Sequence, residues 1–163
     1  IRDILLNPDN REMTPITEAL LYAASRSQHV SEVVRPALLA GKTVLCDRFL
    51  DSSVAFQGGG RQLGIDTVEK INAPAIDGLL PDITILLSMN HEDALARRMH
   101  ASQPDRIESE KASFHARVEQ AYSALAERYK DRYIVVDASL PEEQVSEQIR
   151  LKLTDKLRRM GRI

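Results

Sequence analysis

The chain has 163 residues, 43% hydrophobic and 28% charged, enough for one domain with a sizeable core and ordinary for a soluble globular protein. A formal net charge of −2 gives no general attraction to nucleic acid or to an anionic membrane, so phosphate binding has to be local. Cys46 is the only cysteine and excludes an internal disulfide, no apolar run approaches a membrane span and no signal peptide is visible, so the cytoplasm is the expected compartment.

Helices alternate with short apolar strands along the chain. Ile1-Arg2-Asp3-Ile4-Leu5-Leu6 reads as the middle of a helix. Thr14 before Pro15 pairs an N-cap with a first-turn proline and opens a helix through Tyr22 and Arg26. The apolar pattern resumes at Val30, Val33, Val34, Ala37 and Leu38 until Gly41, and Pro36 is expected to kink or break it. Thr43-Val44-Leu45-Cys46 is expected to be a strand with Cys46 in the core, Asp66-x-x-Glu69 a capping box, and Ile83-Thr84-Ile85-Leu86-Leu87 a second strand. Asn90 caps a helix to about Met99. Phe114, Val118, Ala121 and Leu125 mark a longer amphipathic helix, Tyr133-Ile134-Val135-Val136 a third strand, and Val145, Ile149, Leu153 and Leu157 a last helix. Three strands with crossover helices predict a parallel α/β sheet, and two further strands are expected upstream because three are few for this length.

The densest chemistry lies where Val44-Leu45-Cys46-Asp47-Arg48-Phe49 runs into Asp51-Ser52-Ser53-Val54-Ala55-Phe56-Gln57-Gly58-Gly59-Gly60-Arg61. In open parallel sheets ligands sit beyond the carboxyl ends of the strands, which puts Asp47 and Arg48 at the mouth, with Ser53 and Gln57 one helical turn apart. A carboxylate, a guanidinium, a hydroxyl and an amide together suit a small phosphorylated ligand with a polar ring. Tyr22 and Arg26, four residues apart, share a helix face and can stack on and hydrogen-bond a flat base. The blander readings are a structural Asp47–Arg48 ion pair, a core tyrosine and a surface arginine. His29, His91, His100 and His115 share no ligand spacing, which argues against a metal site built by the protein. The basic run Lys156 to Arg162 reads as a solvated helix end that complements the dipole.

These residues in this order, together with Asp105-Arg106-Ile107-Glu108 and the upstream Ala19-Leu20-Leu21-Tyr22-Ala23-Ala24-Ser25-Arg26, resemble the thymidylate kinases over the whole chain. The resemblance implies a single domain over 1–163, an α/β fold with a P-loop NTPase-like parallel sheet flanked by helices, and a mobile lid at about 97–110. It also implies transfer of the γ-phosphoryl of ATP to dTMP, giving dTDP and ADP, with Mg²⁺ arriving on the nucleotide and a homodimer as the assembly. Residue by residue it makes Arg48 the catalytic ligand of the acceptor phosphate, Ser53 and Gln57 the readers of the pyrimidine edge, and Asp47 a neighbour of the metal or acceptor phosphate. Tyr22 matches the stacking aromatic, usually Phe, Arg26 the base-binding arginine, and Arg2 a further contact to the acceptor phosphate. Arg97 matches a donor-nucleotide contact, Arg106 the lid's Asp-Arg pair, and Asp137-Ala138-Ser139 the adenine-side loop, although Ser139 is equally readable as a helix cap.

Where some relatives carry a catalytic arginine in the lid, this chain has Met99, His100 and Ala101, so Arg98 would substitute unless that arginine belongs to the P-loop. No G-x-x-x-x-G-K-[ST] occurs in the sequence, so the chain reads as such a kinase without its first strand-helix-strand unit and is expected to be inactive or severely impaired alone. Two alternatives remain. One is another nucleoside monophosphate kinase, against which Ser53 with Gln57 argues; the other is a catalytically dead nucleotide-binding or dimerisation module.

Overall fold

Thr14 Oγ1 accepts the Thr17 N–H at 3.3 Å and Pro15 supplies a pre-set first turn, so helix α2 runs Pro15–His29 behind the short α1, Arg2–Leu6. The structure, a computed structural model, describes residues 1–90, 94 and 105–163. Pro36 does not break the helical path as the sequence suggests. The ladder widens into a π-helical turn, Val30–Val34, closed by the Arg35 N–H on Val30 O, and α3 (Arg35–Leu39) then begins with Pro36 in a first turn that needs no proline N–H.

Thr43–Cys46 is not a strand. The described residues form a single two-stranded sheet that does not include this segment, Leu45 is 95% exposed, and Cys46 is exposed rather than in the core. β-propensity is realised against a partner strand, and an apolar run with no ladder beside it has nothing to pair with or pack on.

Beyond Phe49, α4 (Leu50–Ser53) passes directly into a second π-helical stretch, Val54–Gly60. Its glycines admit helix α6 (Ala112–Arg128), whose Arg117 donates Nε and Nη2 to Gly60 O at 3.1 and 2.9 Å. A Cβ on Gly60 would lie 2.5 Å from Phe114 Cε2 and 2.8 Å from Val118 Cγ2. Gly60→Ala is therefore expected to destabilise by about 1–3 kcal/mol through overpacking. Urea unfolding should show a lower midpoint at unchanged slope, and an unchanged midpoint would contradict the close approach.

Helix α5 (Ile65–Ile76) starts after Gly64, at φ +86°, whose N–H is bonded to Gly58 O at 3.0 Å. That glycine turn sets the first helical residue, leaving Asp66 one position inside, so the expected Asp66–Glu69 capping box is not the start of the helix.

The chain divides into two compact units, Ile1–Leu80 with Ser102–Tyr122, and Pro81–Ala101 with Ser123–Ile163. In the first, Leu5, Ala19, Val30, Val54, Val68, Phe114 and Val118 are buried together with Ala121. In the second, β1 (Thr84–Ser88) and β2 (Tyr133–Asp137) pair in parallel from Thr84↔Tyr133 to Ser88↔Asp137. Leu125 and Val136 are fully buried in this unit. Helix α7 (Glu142–Arg159) half-buries Val145, Ile149, Leu153 and Leu157, as their four-residue spacing predicts. Its N-cap is Pro141 rather than Ser139, whose N–H and Oγ both donate to Asp137 Oδ1, at 2.9 and 2.6 Å. Ala94 is helical with its N–H on Asn90 O at 3.1 Å, and the rest of the helix expected to reach Met99 lies outside the described residues. No described helix is long and apolar enough to cross a membrane.

Candidate functional site

Steps of four along α2 put Glu18, Tyr22 and Arg26 on one face, and a step of four along the Leu50–Gly60 helical path aligns Ser53 with Gln57. The two faces are tied by two rungs. Arg26 Nη2 donates to Ser53 Oγ at 2.8 Å and to Phe49 O at 3.0 Å, and Gln57 Nε2 donates to Glu18 Oε1 at 2.9 Å. Ser53 and Gln57 are each 2% exposed and Glu18 is fully buried. Tyr22 sits half-buried between the rungs in sequence, and burial together with the Glu18 charge raises its phenol pKa.

Arg26 is not a surface arginine. It is half-buried, Nη1 donates to Asn72 Oδ1, and the fully buried Asn72 is itself fixed by donating Nδ2 to Val68 O at 2.9 Å. Burial pushes the Arg26 pKa down to about 10, against the opposing charges of Cys46, Asp51 and Tyr22, so the guanidinium stays charged at neutral pH. A cation whose hydrogen bonds go to neutral oxygens keeps its positive potential available for an incoming carbonyl or anion.

Glu18 is the hub that the sequence reading missed. Besides Gln57 it accepts from Arg61, through Nε and Nη2 at 3.0–3.2 Å, and from Arg106 Nη2 at 2.6 Å. Arg61 also pairs with Glu110 and lies 4.9 Å from the Phe114 ring centre, while Arg106 Nε donates to Leu5 O at 2.8 Å. Burial works to raise the Glu18 pKa, but the donors Arg61, Gln57 and Arg106 outweigh it and the carboxyl is held below its ordinary range. One more step back along the Tyr22–Arg26 face lands on Glu18, and that was the available signal. Asn72 was marked in the same way, as an amide inside the apolar stripe of Val68, Ala75 and Ile76.

Arg48 is exposed and takes φ +62°, a left-handed conformation unusual for a side chain with a Cβ. Its guanidinium lies 5.3 Å from the Phe56 ring centre, and the nearby Tyr122 hydroxyl shares a 2.9 Å hydrogen bond with Ser52 Oγ. Asp47 is exposed beside it, and among the described residues the two form no ion pair.

A family model described as thymidylate kinase matches residues 1–149. The chain belongs to the thymidylate kinase family. Curated thymidylate kinases from Limosilactobacillus fermentum and Lactobacillus delbrueckii subsp. bulgaricus are 51% and 52% identical to it, over 92% and 89% of this chain and 71% and 69% of theirs. A third, from Bacillus pumilus, is 47% identical over 98% of this chain and 76% of its own length.

Of the residues that the thymidylate kinase resemblance singles out, the first unit brings together Tyr22, Arg26, Ser53 and Gln57. Arg2, exposed on α1, and Arg106 both lower the Tyr22 pKa through their charge, against the dominant effect of burial. Arg106 is itself drawn inward, with 9% of its side chain exposed on Glu18. Asp137, Ala138 and Ser139 lie in the second unit at the end of β2, where the Ala138 N–H extends the ladder onto Ser88 O at 2.8 Å. Arg97 and Arg98 lie outside the described residues, as do His91 and His100.

Proposed function

We propose that this thymidylate kinase chain carries the acceptor side of the reaction in which the γ-phosphoryl of ATP passes to a phosphate oxygen of dTMP, giving dTDP and ADP. The observation that carries the reading is the pair of rungs, Arg26–Ser53 and Glu18–Gln57, on either side of Tyr22. Tyr22 stacks on the base, Arg26, Ser53 and Gln57 read its edge, and Arg48 with Arg2 holds the acceptor phosphate. Because Arg26 already donates to Ser53 Oγ, the Ser53 hydroxyl proton is free to point at a ligand.

The chemistry asks for positioning rather than a covalent intermediate. Two polyanions must meet in line while their charge is neutralised, and an exposed guanidinium such as Arg48 does that with no reorganisation of the core. By resemblance, 1–163 is one P-loop NTPase-like domain in which Arg97 and Arg98 serve the donor nucleotide and Asp137, Ala138 and Ser139 border the adenine. Mg²⁺ supplies further neutralisation when it arrives with the nucleotide, and Asp47 is the exposed carboxylate whose chemistry suits its hydration shell. On the same resemblance the working form is a homodimer in the cytoplasm.

The sequence holds no G-x-x-x-x-G-K-[ST], so these 163 residues supply no recognisable cradle for the donor phosphates. Protein made from the complete natural gene is expected to form ADP from Mg-ATP only when dTMP is present, whereas the 163-residue chain by itself gives at most a trace. Normal turnover by the 163-residue chain would overturn the second expectation, and turnover with no dependence on dTMP the first.

A further inference from the structure

Glu18 touches no ligand in the reading above, yet it governs an atom that does. An ionised carboxylate only accepts hydrogen bonds, so the 2.9 Å contact at Glu18 Oε1 demands a donor and turns the Gln57 amide with Nε2 inward. Arg61 and Arg106 grip the same carboxylate and prevent it from swinging away. What Gln57 has left is Oε1, an acceptor that meets no donor among the described residues. One helical turn away the polarity is opposite, because Arg26 and the Ser53 hydroxyl are donors. A ring that offers N–H beside C=O complements this order; a ring that offers a bare N beside NH₂ opposes it at both positions.

We propose that Glu18 is a positioning residue for base specificity: by pinning Gln57 Nε2 it presents Gln57 Oε1 to the base and so selects pyrimidines that carry hydrogen on N3, thymine and uracil, against cytosine. The inference rests on the reading that Gln57 faces the base.

The test is steady-state kinetics of the complete protein with dTMP, dUMP and dCMP as acceptors. In Glu18→Gln an amide can offer its own N–H to Gln57 Oε1, which lets the Gln57 amide turn over. The expected result is a KM for dTMP raised about tenfold with kcat changed less, and a dCMP to dTMP ratio of kcat/KM raised at least about tenfold. Equal losses on all three acceptors, with the ratio intact, would overturn the inference, since a merely structural glutamate has no preference among bases. Gln57→Ala separates the two layers. If it leaves dTMP binding unchanged, Gln57 does not face the base and both the reading and the inference fall. If it weakens dTMP binding while Glu18→Gln leaves the ratio intact, the reading stands and the inference alone falls. Should Glu18→Gln not fold, the unmodified protein decides. Calorimetry with 3-methyl-dTMP, which has no N3 hydrogen, is expected to show binding at least about tenfold weaker than dTMP, and equal affinity would overturn the inference.

Discussion

Replacing Arg48 by alanine in the complete enzyme is expected to lower kcat/KM for dTMP by about 10²–10³-fold, the usual effect of removing one positioned group that stabilises transition-state charge. Stability should stay within about 0.5 kcal/mol of the parent, because the side chain is exposed and Tyr122 keeps its bond to Ser52. Arginine and alanine both carry a Cβ, so the left-handed backbone at φ +62° is no more strained in one than in the other. Arg48→Lys keeps the charge but loses the planar fork, and should recover only part of the activity. A loss in kcat/KM of less than about threefold for Arg48→Ala would remove this residue from the phosphate site.

Glu18→Ala acts on the fold instead. It deletes the carboxylate that Arg61 and Arg106 share, whose side chains are 15% and 9% exposed, and strips Gln57 of its acceptor. Breaking a buried pair by removing one partner typically costs about 3–5 kcal/mol, because the other charge stays buried without compensation. Arg61 retains Glu110, which softens the loss, whereas Arg106 is left with the Leu5 carbonyl. The effect has a pH signature. The Glu18 pKa is lowered in the folded state from an ordinary 4.5, so its contribution is fully present above that value and disappears as pH falls through the lowered folded pKa. The stability gap between parent and variant, measured by urea unfolding, should therefore be widest near neutrality and shrink in acid. A gap that stays constant as the solution is acidified would mean that Glu18 is not held as an ionised acceptor.

Much of this was legible where sequence spacing maps directly onto burial. Phe114, Val118, Ala121 and Leu125 recur every three or four residues and all four are buried, because a helix carries its own ladder and needs only one face to pack. Thr43–Cys46 shows the converse: its apolar pattern says nothing about whether a neighbouring strand is there, and among the described residues no ladder forms beside it. The same contrast divides the candidate site. Tyr22 with Arg26, and Ser53 with Gln57, declare themselves by a spacing of four. The role of Glu18 depends on Arg61 and Arg106, 43 and 88 residues further along the chain, and no local pattern reports a meeting at that range. The two π-helical stretches were hidden for another reason, since they are set by what the helix passes, a proline in one case and a close-packed neighbour in the other.

The π-helical Val54–Gly60 stretch also bears on which mutations the chain tolerates. An α-helix advances about 100° per residue, so a single deletion there that restored α-helical winding would rotate everything beyond it by about that angle. Arg61 is the first side chain past the stretch, and it would swing off Glu18. The number of residues between Ser53 and Arg61 is thus a constraint separate from their identities: losing one residue disconnects the guanidinium from the carboxylate that orders Gln57.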